Sequence, residues 1–147
     1  MKRRGASSVS DGLLDTNVVI HSLMSDSHSE ECRAFLASLE AGQRSARLEP
    51  YVVHEITYVM VRQLKLSKSE IASILLRIVQ WPGIECDKEL LNRAILHWRD
   101  HAGPSFIDAL LASQAVLSQT RVFTINVKDF DGMGIEVPKP LSNYSTP

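Results

Sequence analysis

Short apolar runs alternate with longer stretches of helical period along this 147-residue chain, and that alternation restricts the fold more than any other feature. "GLLD" (12–15), "SARLEP" (45–50), "IEC" (84–86), "RVFTIN" (121–126) and "IEV" (135–137) each read as a strand or the end of one. Between them, "SDSHSEECRAFLASLEAGQ" (25–43) places Cys32, Phe35, Leu36 and Leu39 at helical spacing and offers Gly42 as a stop. "YVVHEITYVMVRQL" (51–64) follows Pro50, whose fixed φ suits a first helical turn. "SKSE" (67–70) is a capping box for "IASILLRIVQW", which Pro82 and Gly83 end. Asp87 caps "KELLNRAILHWRDH", and Gly103 and Pro104 break the chain before "SFIDALLASQAVLSQ", a nearly all-apolar helix. "VKDFDGMG" (127–134) reads as a loop. Strands alternating with helices predict an α/β protein, a three-layer α/β/α sandwich around a mostly parallel central sheet. The pattern predicts one domain over 12–137, a flexible N-terminal lead at 1–11 and a polar tail at 138–147.

Composition narrows the classes further. A hydrophobic fraction of 44% with 22% charged residues suits a globular domain and excludes a disordered or fibrous one. The formal net charge of -1 supplies no general attraction for nucleic acid, so a nucleic-acid ligand would need a local patch or a metal. Two cysteines, Cys32 and Cys86, are too few for a disulfide framework and predict a reduced, cytoplasmic setting. No apolar run is long enough to span a bilayer, and "MKRRGASSVSDG" lacks the apolar segment of a secretory signal.

Acids interrupt the apolar segments. Asp15 follows Leu13 and Leu14; Glu55 lies among Tyr51, Val52, Tyr58 and Val59; Asp108 opens an apolar helix; Asn126, Asp129 and Asp131 follow the last long strand. Each has a structural explanation: Asp15 as a helix N-cap, Asp108 as the complement of a helix N-terminus, Glu55 in an ion pair, Asp129 in a turn. Taken together they predict a convergence. Three acids buried separately need three cations, and the apolar segments around them carry almost no Lys or Arg. One or two divalent ions would relieve all three, and an all-oxygen site selects Mg²⁺ or Mn²⁺ over zinc. The matching chemistry is metal-assisted hydrolysis of a phosphodiester.

The segments "LLDTN", "VVHEITYVM", "SFIDALLAS" and "VFTINVKDF" resemble, in order and at suitable spacing, the PIN-domain ribonucleases, most closely the VapC-like toxins of bacterial toxin–antitoxin pairs. The resemblance implies an α/β/α sandwich and a Mg²⁺- or Mn²⁺-dependent endoribonuclease. It further implies homodimers and an antitoxin whose C-terminal segment covers the acidic cleft. Carried over by position, Asp15, Glu55 and Asp108 are the first three acids. Thr16 and Asn17 match the small polar residues that steady the first acid or contact substrate. The fourth acid departs from the pattern: where the family carries "T-x-D", Thr124-Ile125 is followed by Asn126, with Asp129 three residues on. On this reading Asp15 and Asp108 bind metal directly, and Glu55 completes the coordination or holds the attacking water. Asn126 and Asp129 then act behind them or on a second metal.

Arg62, Lys65 and Lys68 are candidates for an RNA phosphate track, with Arg121 and Lys128 as second choices. His97 and His101 stand four apart on one helix, without the acidic residue or cysteine set of a zinc site, and read as a solvated face. His54, Trp81 and Trp98 read as packing or interface. Two rivals stay open. An Asp-nucleophile phosphatase would want a second Asp where Asn17 stands, and a degenerate binding module finds its argument in Asn126.

Overall fold

The structure is a computed structural model that describes residues 10–130, 132, 133 and 135. Residues 1–9 of the expected lead, the tail at 138–147 and Asp131 lie outside the described residues, as does most of the strand expected at 135–137.

Three extended segments run parallel. β1 (Ala46–Arg47) pairs with β2 (Ile84–Glu85) in the register Ala46 to Ile84 and Arg47 to Glu85, and Leu13 bridges Arg47 on the other side. The Leu14 N–H donates to the Arg47 carbonyl at 2.9 Å, and the Leu48 N–H to that of Glu85 at 2.9 Å. Parallel neighbours require helical crossovers. The first crossover is α1 (Thr16–Ser22) with α2 (Ser29–Glu40); the second is α3 (Pro50–Arg62) with α4 (Lys68–Gln80). α5 (Lys88–Asp100), α6 (Phe106–Leu117) and the short α7 (Val127–Phe130) complete the order. The architecture is α/β, helix-rich around a small parallel sheet.

Local chemistry explains the helix ends. Ser67 and Glu70 form the expected capping box, with the Ser67 N–H on Glu70 Oε2 at 2.9 Å and the Glu70 N–H on Ser67 Oγ at 3.1 Å. Asp87 caps α5 through the Leu90 N–H at 3.2 Å. Before α2, Asp26 accepts from the His28 N–H, and that bond holds its carboxyl below the usual range. Gly42 ends α2 at φ 75°, where glycine carries no Cβ penalty. Gly83 is held to glycine for another reason. A Cβ there would stand 2.2 Å from the Arg44 carbonyl oxygen and 2.6 Å from that of Leu39, so β2 enters the sheet directly against the end of α2.

The core joins Leu14 of the first extended segment to Val53, Ile56 and Met60 of α3, Leu75 of α4, Leu91 and Ile95 of α5, and Phe106 of α6. Trp98 is buried, edge-on to Phe106 with ring centroids 6.3 Å apart, so it serves the core. Cys32 and Cys86 are half-buried free thiols, and burial pushes both above their ordinary value, which disfavours the reactive thiolate. Among the described residues no helix is long and apolar enough to cross a membrane.

Three segments differ from the sequence expectation. Residues 121–126 form no regular strand; Val122 is buried, while Phe123 and Ile125 turn outward. A continuous apolar run looks like a strand covered on both faces, and here one face is open. Val127–Phe130, expected as loop, is a single helical turn opened by the Asp129 N–H on the Asn126 carbonyl at 3.1 Å. Ser10 and Asp11, at the end of the expected lead, are tied to the sheet. Ser10 donates to Glu85, and Asp11 exchanges two bonds with Ser45 at 3.1 and 3.0 Å.

Candidate active site

The chain leaves its first extended segment at Leu14, and the next residue is Asp15. Its backbone is extended (φ −92°, ψ 151°), and Oδ2 accepts from the Asn17 N–H at 3.3 Å. Asp15 is therefore the N-cap of α1 and an exposed carboxylate at the carboxyl end of a parallel strand, the end at which open α/β sheets place ligands.

The next residue points inward. Thr16 is buried, and its hydroxyl donates to Oε1 of Glu55 at 2.8 Å. α1 packs against α3, so residues 39 positions apart come together here. Glu55 is exposed on α3 although the segment around it is mostly apolar. The resemblance has Thr16 and Asn17 steadying the first acid; the geometry divides the task. Asn17 holds Asp15 through its backbone, and Thr16 holds Glu55.

Asp108 is the third residue of α6 and half-buried. Its Oδ2 accepts from the Ser105 N–H at 3.2 Å while its own N–H donates to Ser105 Oγ at 3.2 Å. This second capping box stands in the sequence as S-x-x-D at 105–108, a signal that marks Ser105 as well as Asp108. Phe106 stacks on the His54 ring, with centroids 6.5 Å apart and planes 21° from parallel. That contact seats the start of α6 against α3 one residue from Glu55, and it gives His54 the packing role expected.

Asn126 is exposed; its N–H donates to Thr124 Oγ1 at 2.9 Å. Asp129 is half-buried, and a Cβ built on Gly103 would stand 3.3 Å from its Oδ1. The fourth acid thus lies against the loop that leads into α6.

The three acids are not buried, against the sequence expectation. Asp15 and Glu55 face solvent and Asp108 is half-covered, so no buried cation is demanded by desolvation. Among the described residues no three His, Cys, Asp or Glu side chains gather closely enough to hold an ion. The donor chemistry itself suits a hard cation: Asp15, Glu55, Asp108, Asp129 and the Asn126 amide offer oxygen. Mg²⁺ is commonly held by one or two carboxylates, with water and substrate phosphate completing the shell.

The basic candidates separate. Arg62 is exposed at the end of α3, its guanidinium 4.9 Å from the centre of the Tyr58 ring. Lys65 is exposed in the following loop at φ 56°. Lys68 is not free for a phosphate. Its Nζ donates to the carbonyls of Trp98 at 3.0 Å and His101 at 2.9 Å, closing the end of α5. His97 and His101 are half-buried rather than solvated, and Nδ1 of His101 lies 2.8 Å from the His97 carbonyl.

A family model described as PIN domain matches residues 12–134. The chain belongs to the PIN domain family. No curated protein is similar enough to count as a match. PIN domains are generally nucleases, which supports a phosphodiester hydrolase here, and such nucleases generally use divalent metals. Within this PIN domain Thr16 ties Glu55 to the α1 N-terminus, and the His54–Phe106 stack brings the α6 N-terminus to α3.

Proposed function

We propose that this PIN domain is a Mg²⁺- or Mn²⁺-dependent endoribonuclease, VapC-like, and the toxin of a toxin–antitoxin pair acting in the cytoplasm. The observation that carries the nuclease reading is the Thr16–Glu55 hydrogen bond. It places the carboxylate of α3 beside the strand end that presents Asp15, and two acids from distant segments share one exposed edge.

A bound divalent ion would lower the pKa of an attacking water and neutralise charge developing on the phosphoryl oxygens. Asp15 and Asp108 would hold it, each already oriented by backbone N–H bonds that leave carboxylate oxygen to spare. Glu55, oriented by Thr16, completes the set or takes the proton of the water. Asn126 accepts or donates through its amide without adding charge, and Asp129 supplies the fourth carboxylate from the α6 side. Asn17, Arg62 and Lys65 are exposed and bind the RNA backbone. The partners proposed with this activity are a cognate antitoxin and a second copy of the chain.

The test is cleavage of a mixed structured-RNA pool by wild type and Asp15→Asn with Mg²⁺, Mn²⁺ or EDTA. Metal-dependent cleavage that the substitution abolishes is the expected result. Absence of both cleavage and metal binding by calorimetry overturns it. The second reading, a PIN-domain module that binds RNA or protein without cutting it, has one observation in its favour: Asn126 stands where the motif has an acid.

A further inference from the structure

α3 presents an exposed stripe that neither the core nor the proposed chemistry uses in full. Tyr51, Glu55, Tyr58 and Arg62 fall at i, i+4, i+7 and i+11, a spacing that puts all four on one face of a helix. The two tyrosines are 64% and 54% exposed, although aromatic side chains of this size normally bury most of their surface. They bracket Glu55, the acid that Thr16 holds in place. Arg62 lies over the Tyr58 ring at 4.9 Å, so the stripe ends in a fixed positive charge beside an aromatic face.

We infer that Tyr51 and Tyr58 are base-stacking platforms that hold a single-stranded RNA segment across Glu55, with Arg62 against its backbone. This rests on the ribonuclease reading above. Along the helix the tyrosines are separated by about 10 Å at 1.5 Å per residue. A stacked strand rises about 3.4 Å per nucleotide, so that distance spans roughly three nucleotides. Bases resting on the two rings leave the phosphates between them next to Glu55. Stacking is indifferent to base identity, because every base has a π-face, and it requires unpaired bases. The platforms therefore select single-stranded over duplex RNA and impose little sequence preference.

The pairing of exposed aromatic faces with a cation favours this occupant. The Arg62 guanidinium beside the Tyr58 ring complements a phosphate, and the exposed faces of Tyr51 and Tyr58 complement unpaired bases.

The experiment uses the full chain carrying Glu55→Gln to prevent cleavage, and a fluorescein-labelled single-stranded RNA of about twelve nucleotides, alone or annealed as a duplex. Tyr51→Ala and Tyr58→Ala are each expected to weaken single-strand binding by roughly five- to tenfold. Tyr→Phe at either position restores it, and binding of the duplex is unchanged. Quenching of tyrosine fluorescence by the single strand, reduced in each Ala variant, is the stacking signature. Single-strand binding unaltered by both Ala substitutions overturns the inference. If the chain without Glu55→Gln still cleaves RNA in that case, the ribonuclease reading stands without it. Ala variants that change only self-association on gel filtration also overturn it and assign the stripe to a protein interface. If the parent neither binds nor cleaves RNA, the ribonuclease reading falls first and takes the stacking with it.

Discussion

Thr16 donates its hydroxyl proton to Glu55 across 39 positions of sequence, at 2.8 Å, from a side chain that is itself buried. The bond works in one direction. A buried hydroxyl needs an acceptor, and an exposed carboxylate gains a fixed rotamer by supplying one. Thr16 is thus placed to orient Glu55 without touching the substrate.

Replacing Thr16 by Val removes the hydroxyl and keeps the branched shape. The expected outcome is a ten- to hundredfold loss in RNA cleavage rate, roughly the effect of deleting a group that orients a metal ligand. Thr16→Ser should retain most of the rate. Single-turnover cleavage and thermal unfolding on all three proteins check this. A Val variant as active as wild type would show that Glu55 needs no orienting partner.

Ser105 and Asp108 separate capping from chemistry. Ser105→Ala deletes the side-chain cap of α6 and should cost about 1 kcal/mol of stability. Asp108→Asn keeps an acceptor for the Ser105 N–H and removes the charge, so stability should barely change while metal-dependent cleavage is lost. Urea unfolding and RNA cleavage on both variants decide it. An active Asp108→Asn would leave Asp108 a cap alone, and an undiminished stability of Ser105→Ala would show that the cap contributes little.

Lys68 ties the end of α5 to the start of α4, and Lys68→Met should cost about 1–3 kcal/mol by leaving two carbonyls short of a donor. Burial lowers its pKa from the ordinary 10.5. The folded state therefore releases this proton at lower pH than the unfolded chain does. Between the lowered folded value and 10.5 the unfolded chain binds more protons, so this group's contribution to stability rises with pH across that window. Urea midpoints at roughly pH 8, 9 and 10 should show wild type gaining on Lys68→Met as pH climbs. Parallel curves would mean that the ammonium is better solvated than its position implies.

Gly83→Ala should destabilise the domain by more than about 3 kcal/mol, because its Cβ meets two backbone oxygens rather than a yielding side chain. Thermal unfolding reads this directly. A shift of only a degree or two would show that β2 can slide away from the end of α2.

The sequence by itself determined α2 to α6 and most of their ends, because each cap acts over three or four residues. Ser67 finds Glu70, Asp87 finds the Leu90 N–H, and Pro50 opens α3 without any distant partner. The four acid-bearing motifs were legible for a similar reason, since each is a short string in a fixed order. Which way the acids face was not. Glu55 lies in a mostly apolar segment, and helical period alone does not say which arc of α3 the core covers; packing against α1 and α6 decided that. The same holds for 121–126, where a strand depends on a neighbour's backbone as well as on its own apolar run. Thr16 as the partner of Glu55, and Lys68 as the closure of α5 rather than a phosphate contact, are long-range hydrogen bonds. They exist only after the chain has folded, because no local pattern records which donor a distant acceptor will meet.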